Sequence, residues 1–142
     1  MESIEIDDQP VLIWGSENHR YDYSLIDTVI EERVVNHILK FLLPETILKL
    51  QYPMSTISGS FRGDIALINK GKVLVIECDG KENHTKTEDE IYDEWRDFLI
   101  LVERKADVIY RVTGADIYYN MNQVLSIISF FNPEFFNQEQ AS

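Results

Sequence analysis

Apolar residues recur at helical spacing in three segments of the chain. The first, from Ser24 to Leu43, predicts a helix with Ser24 as a candidate N-cap and Pro44 as its stop. Its apolar face consists of Val34, Val35, Ile38, Phe41 and Leu42. A second helix is predicted from Thr87 to about Glu103, with an apolar stripe of Ile91, Trp95, Phe98, Leu99 and Val102. A third helix is predicted from Met121 to Phe131.

One acidic residue continues the apolar face of the first helix. Positions 31, 35, 38 and 42 form a single stripe at a period of 3.6 residues, so Glu31 lies on it whereas Glu32 falls to one side. A buried carboxylate is unstable unless another group pairs with it. Two interpretations stay open here: the end of the helix keeps Glu31 in water, or a partner compensates its burial.

Four segments have the composition of β-strands. They are Ile47 to Tyr52, Phe61 to Asn69, Lys72 to Cys78 and Asp107 to Val112. Asn69, Lys70 and Gly71 separate the second from the third and predict a β-hairpin, because glycine readily adopts the positive φ that short turns require. The order helix, strand, strand, strand, helix, strand, helix predicts an α/β fold in which helices flank a mixed central sheet.

Length and composition fit one domain. The chain has 142 residues, of which 44% are hydrophobic, and we expect a single domain over residues 24–136. Residues 1–23 are predicted to form an N-terminal arm or a short strand, and residues 137–142 a polar tail. No apolar run reaches the roughly 18 residues of a membrane span, and the acidic N-terminus does not resemble a secretory signal. We therefore expect a cytoplasmic protein without membrane contact.

The net charge of −12 conflicts with the basic surface that most nucleic-acid-binding proteins carry. Three interpretations remain open. A small basic groove is hidden in the average, a basic partner binds the nucleic acid, or the protein binds none.

Three carboxylates are predicted to meet near the open end of the hairpin. Asp64 interrupts a largely apolar strand, and Glu77 and Asp79 flank Cys78 and project to the same face of the next strand. Asp64 lies six residues before Lys70 and Glu77 seven after it, which places the two carboxylates across from each other. The plain alternative is a solvated strand end.

Carboxylates this close raise one another's pKa and are stabilised by a cation. Their oxygen atoms suit Mg²⁺ or Mn²⁺, with Asp64 and Glu77 as ligands and the backbone carbonyl of Cys78 as a further one. Such an ion makes a bound water more acidic and places positive charge against oxyanions. These are the two requirements of phosphodiester hydrolysis.

Four short motifs follow one another along most of the chain. They are Phe61-Arg62-Gly63-Asp64, Glu77-Cys78-Asp79-Gly80 with His84, Asp93-Glu94-Trp95-Arg96-Asp97, and Val108-Ile109-Tyr110-Arg111. Together, over about residues 31 to 128, they resemble the PD-(D/E)XK nuclease superfamily, and within it most closely the very-short-patch-repair endonuclease-like branch. The resemblance implies a restriction-endonuclease-like core in a single nuclease domain.

The resemblance also implies roles for individual residues. Asp64 and Glu77 correspond to metal ligands, Glu31 to a carboxylate of the first helix, and Asp79 lies beside the metal. Asp79 stands where the superfamily commonly has a lysine. Because of this departure, the residue that would supply the positive charge of that lysine stays open.

Two residues of the following loop are candidates for catalytic roles. Lys81 either replaces the missing lysine or is a solvated loop residue. His84 either acts as an acid, a base or a phosphate contact, or is a surface histidine. If the protein is a nuclease, its acidity is offset by a local basic groove around Lys81, Lys86, Arg96 and Arg111, by Mg²⁺ itself or by a partner protein. For Arg96 and Arg111 the alternative to phosphate contact is a salt bridge with a neighbouring carboxylate.

Three functions are consistent with the sequence. The favoured one is a Mg²⁺-dependent or Mn²⁺-dependent endonuclease or exonuclease acting on DNA, with RNA not excluded and a homodimer as one arrangement. The second is a nuclease-fold module with weak or lost activity whose acidic surface docks a basic partner subunit. The weakest is an acidic mimic of DNA.

Overall fold

The computed structural model describes residues 2–6, 9–15, 18–79 and 88–137, which form two β-sheets and three helices. The strands are β1 (Glu2–Ile6), β2 (Gln9–Gly15), β3 (Arg20–Asp22), β4 (Ile47–Thr56), β5 (Gly59–Asn69), β6 (Lys72–Asp79) and β7 (Val108–Thr113). The helices are α1 (Val29–Ile38), α2 (Glu88–Val102) and α3 (Gly114–Phe131), and Tyr23–Leu25 forms a single 3₁₀ turn. None of the described helices is both long and apolar enough to cross a membrane.

The central sheet has the strand order β4-β5-β6-β7. The pairs β4·β5 and β5·β6 are antiparallel, and β7 joins β6 in parallel after the crossover through α2. One face packs with α1 and α3 around a first core that includes Val35, Ile65 and Ile76. The other face packs with α2 around a smaller second core that includes Val75 and Ile100. The predicted α/β fold with a mixed central sheet flanked by helices is confirmed.

The predicted hairpin joins β5 to β6. Asn69 pairs with Lys72, so the loop consists of Lys70 and Gly71 alone. Both have a positive φ, 52° and 76° respectively, which matches the right-handed twist of the strands they connect. The register continues without interruption to the pair Ile65 and Ile76.

The N-terminal segment forms a separate antiparallel sheet in the order β1-β2-β3. The apolar stretch from Val11 to Trp14 lies within β2, and its partners β1 and β3 had no comparable signal in the sequence. This segment is attached to the central domain by Tyr21, which is buried in the first core, and by polar contacts. His19 Nε2 lies 2.9 Å from the carbonyl oxygen of Leu43, and the hydroxyl of Tyr21 donates to Asn36 Oδ1 over 3.0 Å.

Two helices begin at positions that differ from the prediction. Ser24 does not cap α1, because it belongs to the 3₁₀ turn, where its N–H donates to Asp22. Thr28 is the N-cap of α1 instead and accepts from the N–H of Glu31. Helix α3 bends at Asn120, whose φ of −133° and ψ of 27° are not helical, so the predicted helix from Met121 to Phe131 is the second part of α3. The part that the prediction lacked starts at Gly114, after Thr113, which forms a reciprocal capping box with Asp116.

The predicted apolar stripe of α2 faces solvent. Ile91, Trp95, Phe98 and Val102 are each more than half exposed. The helix packs on the sheet mainly through Ile100, which is 1% exposed and belongs to the second core. The face of α2 that is turned toward the sheet also carries the partly buried Asp93, Arg96 and Asp97.

Candidate functional site

Near the middle of strand β4, its even-numbered side chains switch from packing with the first core to packing with the second. Leu48 and Leu50 pack with the first core, whereas Tyr52 and Met54 pack with the second. In a regular strand these even-numbered side chains would share one face. Gln51 interrupts the alternation because its φ is +52°, a conformation that non-glycine residues seldom adopt. Such backbone strain is often found at functional sites.

Strand β5 makes the same change directly opposite. Ile65 packs with the first core, while a Cβ at Gly63 would lie 2.8 Å from Val75 of the second. Asp64 lies between them, at the position that the pairing register places opposite Gln51. Its Oδ2 accepts from the N–H of Cys78 over 2.8 Å. The carboxylate therefore takes the hydrogen bond that a backbone carbonyl would otherwise accept from β6.

Glu77 is the next residue of the hairpin beyond the last paired position and lies across from Asp64. It is 7% exposed. Burial, followed by the charge of Asp64 and a side-chain hydrogen bond with it, raises the pKa of Glu77 to about 7. The positive charges of Arg96 and Arg111 act in the opposite direction. The sequence-predicted pair of Asp64 and Glu77 is thus brought together.

Glu31 joins these two carboxylates from α1. It is 2% exposed, so the interpretation that the helix end keeps it in water is wrong. Thr28 donates its hydroxyl to Glu31 Oε2 over 3.0 Å, and Gln51 Nε2 approaches Oε1 at 3.4 Å. Burial and then the charge of Asp64 raise the pKa of Glu31. The three carboxylates lie close enough for Asp64 to affect both of its neighbours.

Gln51 is a site residue that sequence reasoning missed. Besides its contact with Glu31, its amide donates to Asp27 Oδ2 over 3.2 Å. Nothing in the local sequence marks it, since its conformation follows from the way β4 pairs with β5.

Arg96 approaches the carboxylates from α2. Its Nη2 lies 3.8 Å from Glu77 Oε1, its Nε lies 3.7 Å from Asp97 Oδ1, and its guanidinium lies 5.5 Å from the ring centroid of Phe61. Among the described residues, its Nε is the one buried side-chain nitrogen or oxygen without a hydrogen-bond partner. Arg96 therefore places positive charge beside the Asp64–Glu77 pair.

Arg111 is engaged more fully. It lies beside Glu77 in the parallel β6·β7 register and forms a bidentate salt bridge with Asp97, with distances of 2.7 and 2.8 Å. Asp93 lies 3.9 Å away on its other side. For this residue the structure shows the salt bridge that was the alternative to phosphate contact. Burial of the guanidinium lowers the pKa of Arg111, but the hydrogen bond and charge of Asp97, followed by the charges of Asp93 and Glu77, outweigh it and leave this pKa raised.

The structure describes some of the remaining predicted residues and not others. Asp79 ends β6, is partly exposed and pairs with Thr113 in the sheet register. The thiol of Cys78 packs against the first core, and burial raises its pKa. Lys81, His84 and Lys86 lie outside the described residues.

The carboxylates fit a divalent cation in their donor chemistry. Asp64 and Glu77 offer hard oxygen ligands, and burial together with the charge of Asp64 raises the pKa of Glu77 even though Arg96 and Arg111 act against it. Within the described ranges no three His, Cys, Asp or Glu side chains already stand in a metal-binding arrangement. Comparison with protein-family models, curated proteins and solved structures found no match.

Proposed function

We propose that this protein is a metal-dependent nuclease that hydrolyses phosphodiester bonds in nucleic acid. The observation that carries the proposal is the buried Asp64–Glu77 pair, reinforced by Glu31, at a point where two strands depart from regular geometry. A structural core gains nothing from three neighbouring carboxylates, because their burial and mutual repulsion oppose folding.

The order of the site residues along the fold also supports the resemblance to PD-(D/E)XK nucleases. Glu31 lies in the first turn of α1, Asp64 in β5, Glu77 near the end of β6, Arg96 in α2 and Arg111 in β7. This is the arrangement that the resemblance implied for its metal ligands and its basic residues. The positions of these residues in the fold therefore support the nuclease proposal.

Asp64 and Glu77 are the residues that would hold Mg²⁺ or Mn²⁺, which supplies an acidified water and charge against the phosphate oxygens. The protein fixes these ligands through the backbone. The N–H of Cys78 orients Asp64, and the hairpin register sets Glu77 across from it. Arg96, with its incompletely bonded guanidinium, is the described residue best suited to stabilise charge that develops on the phosphate.

Cleavage of labelled single- and double-stranded DNA and RNA, at low salt with Mg²⁺ or Mn²⁺, tests the proposal. We expect Asp64→Asn and Glu77→Gln each to reduce cleavage by at least about a hundredfold, since each removes a ligand of the catalytic ion. Asp107→Asn is the matched control, because Asp107 also accepts a backbone N–H, that of Val73 at 2.7 Å, but lies away from the carboxylates. Equal activity of all four proteins would reject the site.

A docking module is the second candidate function, and the exposed face of α2 favours it. Trp95 and Phe98 stack at a centroid distance of 5.3 Å while each remains more than half exposed. Because the chain has a net charge of −12, the partner would be a basic protein with an apolar contact surface. If this role is the main one, Trp95→Ser abolishes partner binding and Glu77→Gln leaves it intact. The nuclease proposal predicts that Glu77→Gln reduces cleavage and that Trp95→Ser leaves it intact.

A further inference from the structure

A cavity of about 600 Å³ lies between α1 and α3, apart from the carboxylates. Its lining includes Arg33, His37 and Lys40 on one side and Tyr118, Tyr119 and Asn122 on the other. None of the described residues that line it is Asp or Glu, although the chain contains 25 acidic and only 13 basic residues. This is a local basic groove on an acidic protein.

The two basic residues of the groove are Arg33, in α1, and Lys40, in the turn that follows the helix. Positions 33, 37 and 40 lie on one side of the helical path, away from the stripe that carries Glu31 into the core. The guanidinium of Arg33 lies 5.6 Å from the ring centroid of Tyr118, and His37 Nε2 lies 2.8 Å from Asn122 Oδ1. The groove therefore combines positive charge with groups that donate and accept hydrogen bonds.

Two aromatic rings stand at the wall of this groove without being packed into the protein. Tyr118 is 68% exposed and Tyr119 is 76% exposed, and their centroids lie 4.8 Å apart in an edge-to-face arrangement. Exposed rings beside cations are the combination that binds unpaired bases, because the rings stack on bases while the cations contact phosphates. A duplex would not present its base faces to them.

The groove extends along α1 to the start of that helix. A second cavity of about 430 Å³ shares Arg33, Tyr118 and Tyr119 with the first and extends to Val29. Val29 begins α1, and the same first turn carries Glu31 on its buried side. A strand lying in the groove would thus be directed toward the helix turn that contributes to the carboxylate cluster.

We propose that the α1–α3 groove binds single-stranded nucleic acid, with Arg33 and Lys40 at the phosphates and Tyr118 and Tyr119 at the bases. The inference rests on the proposed nuclease function and names the form of its substrate. It also accounts for how a protein of strongly negative charge binds a polyanion, since the contact is confined to a surface without carboxylates.

Fluorescence anisotropy with labelled twelve-nucleotide single strands of DNA and RNA, and with a DNA duplex, tests this inference. EDTA is present to prevent cleavage, and salt is varied. For the double variant Arg33→Gln/Lys40→Gln we expect the slope of log K against log salt to become shallower by about 1.4, which corresponds to two lost phosphate contacts. Tyr119→Ala should weaken binding about tenfold at constant salt.

Two control variants match these changes elsewhere on the surface. Lys49→Gln/Lys105→Gln removes the same charge from exposed positions, and Tyr92→Ala removes an exposed ring from α2. Both controls should retain wild-type salt dependence and affinity. Equal effects of groove and control variants, or tighter binding of the duplex than of the single strands, would overturn the inference.

Asp64→Asn distinguishes this inference from the nuclease proposal. If the groove binds the single strand and Asp64 is needed only for cleavage, this variant binds the labelled strands normally in EDTA and fails to cut them. Normal cutting by Asp64→Asn, together with loss of binding in the groove variants, would reject the proposed active site and leave the groove standing. Loss of cutting in Asp64→Asn, with no effect of the groove variants on binding, would reject the groove and leave the proposed active site standing.

Discussion

The buried carboxylate of Glu77 should make the metal-free protein less stable as the pH rises. The pKa of Glu77 is about 7 in the folded protein, against 4.5 for the free side chain. The folded state therefore holds a proton that the unfolded chain releases. The stabilisation from this proton is complete below pH 4.5, declines above it and is lost as the pH passes 7.

The size of the effect follows from the displacement of the pKa. At 1.36 kcal/mol per pKa unit, the shift from 4.5 to about 7 corresponds to about 3 kcal/mol of unfolding free energy. Glu77→Gln removes the titration while keeping a neutral side chain of the same shape. The unfolding free energy of the variant should therefore not show the decline that titration of Glu77 causes in the wild-type protein between pH 5 and pH 8.

Urea unfolding in EDTA, followed by circular dichroism at half-unit steps of pH, measures this difference. Glu31 contributes in the same direction, because its pKa is also raised, so Glu31→Gln serves as a second, independent variant. At pH 8, Mg²⁺ at a hundredfold excess over its Kd should raise the unfolding free energy of the wild-type protein by about 3 kcal/mol. The increase should be much smaller for Glu77→Gln. Parallel pH profiles for the wild-type protein and Glu77→Gln would refute the reasoning.

Three further substitutions have defined outcomes. Gly63→Ala should lower the unfolding free energy by about 1–3 kcal/mol, because its Cβ would lie 2.8 Å from Val75, and a wild-type urea midpoint would contradict this. Thr28→Ala should cost about 1 kcal/mol by removing the N-cap of α1, and Thr28→Ser should recover most of it in the same assay. Arg96→Gln should tighten Mn²⁺ binding about fivefold at pH 8.5, because it removes a cation 3.8 Å from Glu77, and calorimetry showing weaker binding would exclude that competition.

The local patterns of the sequence predicted the elements whose formation depends on local chemistry. Lys70-Gly71 predicted its hairpin because the turn needs positive φ at both positions, and this turn alone fixes the register that sets Asp64 against Glu77. The stripe through Glu31 was visible because helical periodicity is a property of consecutive residues. The hairpin and this stripe account for all three carboxylates of the site.

Features that depend on tertiary pairing were not predictable in this way. The conformation of Gln51 arises because β4 and β5 change faces together, and neither strand shows this in its own sequence. The apolar stripe of α2 faces solvent, whereas the side toward the sheet carries Arg96 and Asp97 beside Ile100, so apolar periodicity did not identify the side that packs on the sheet. The part of α3 before the bend at Asn120 was missed because its capping pair, Thr113 and Asp116, precedes the clearly apolar part of the helix.

The dependence of the initial cleavage rate on Mg²⁺ concentration tests the central claim most directly. The wild-type protein and Asp64→Asn are compared on the same single-stranded substrate, after each has been freed of metal with EDTA. We predict a rate that rises from zero and saturates for the wild-type protein and stays near zero for Asp64→Asn. A rate that does not depend on Mg²⁺, or one that is equal in the two proteins, would contradict the assignment of Asp64 and Glu77 as the catalytic metal site.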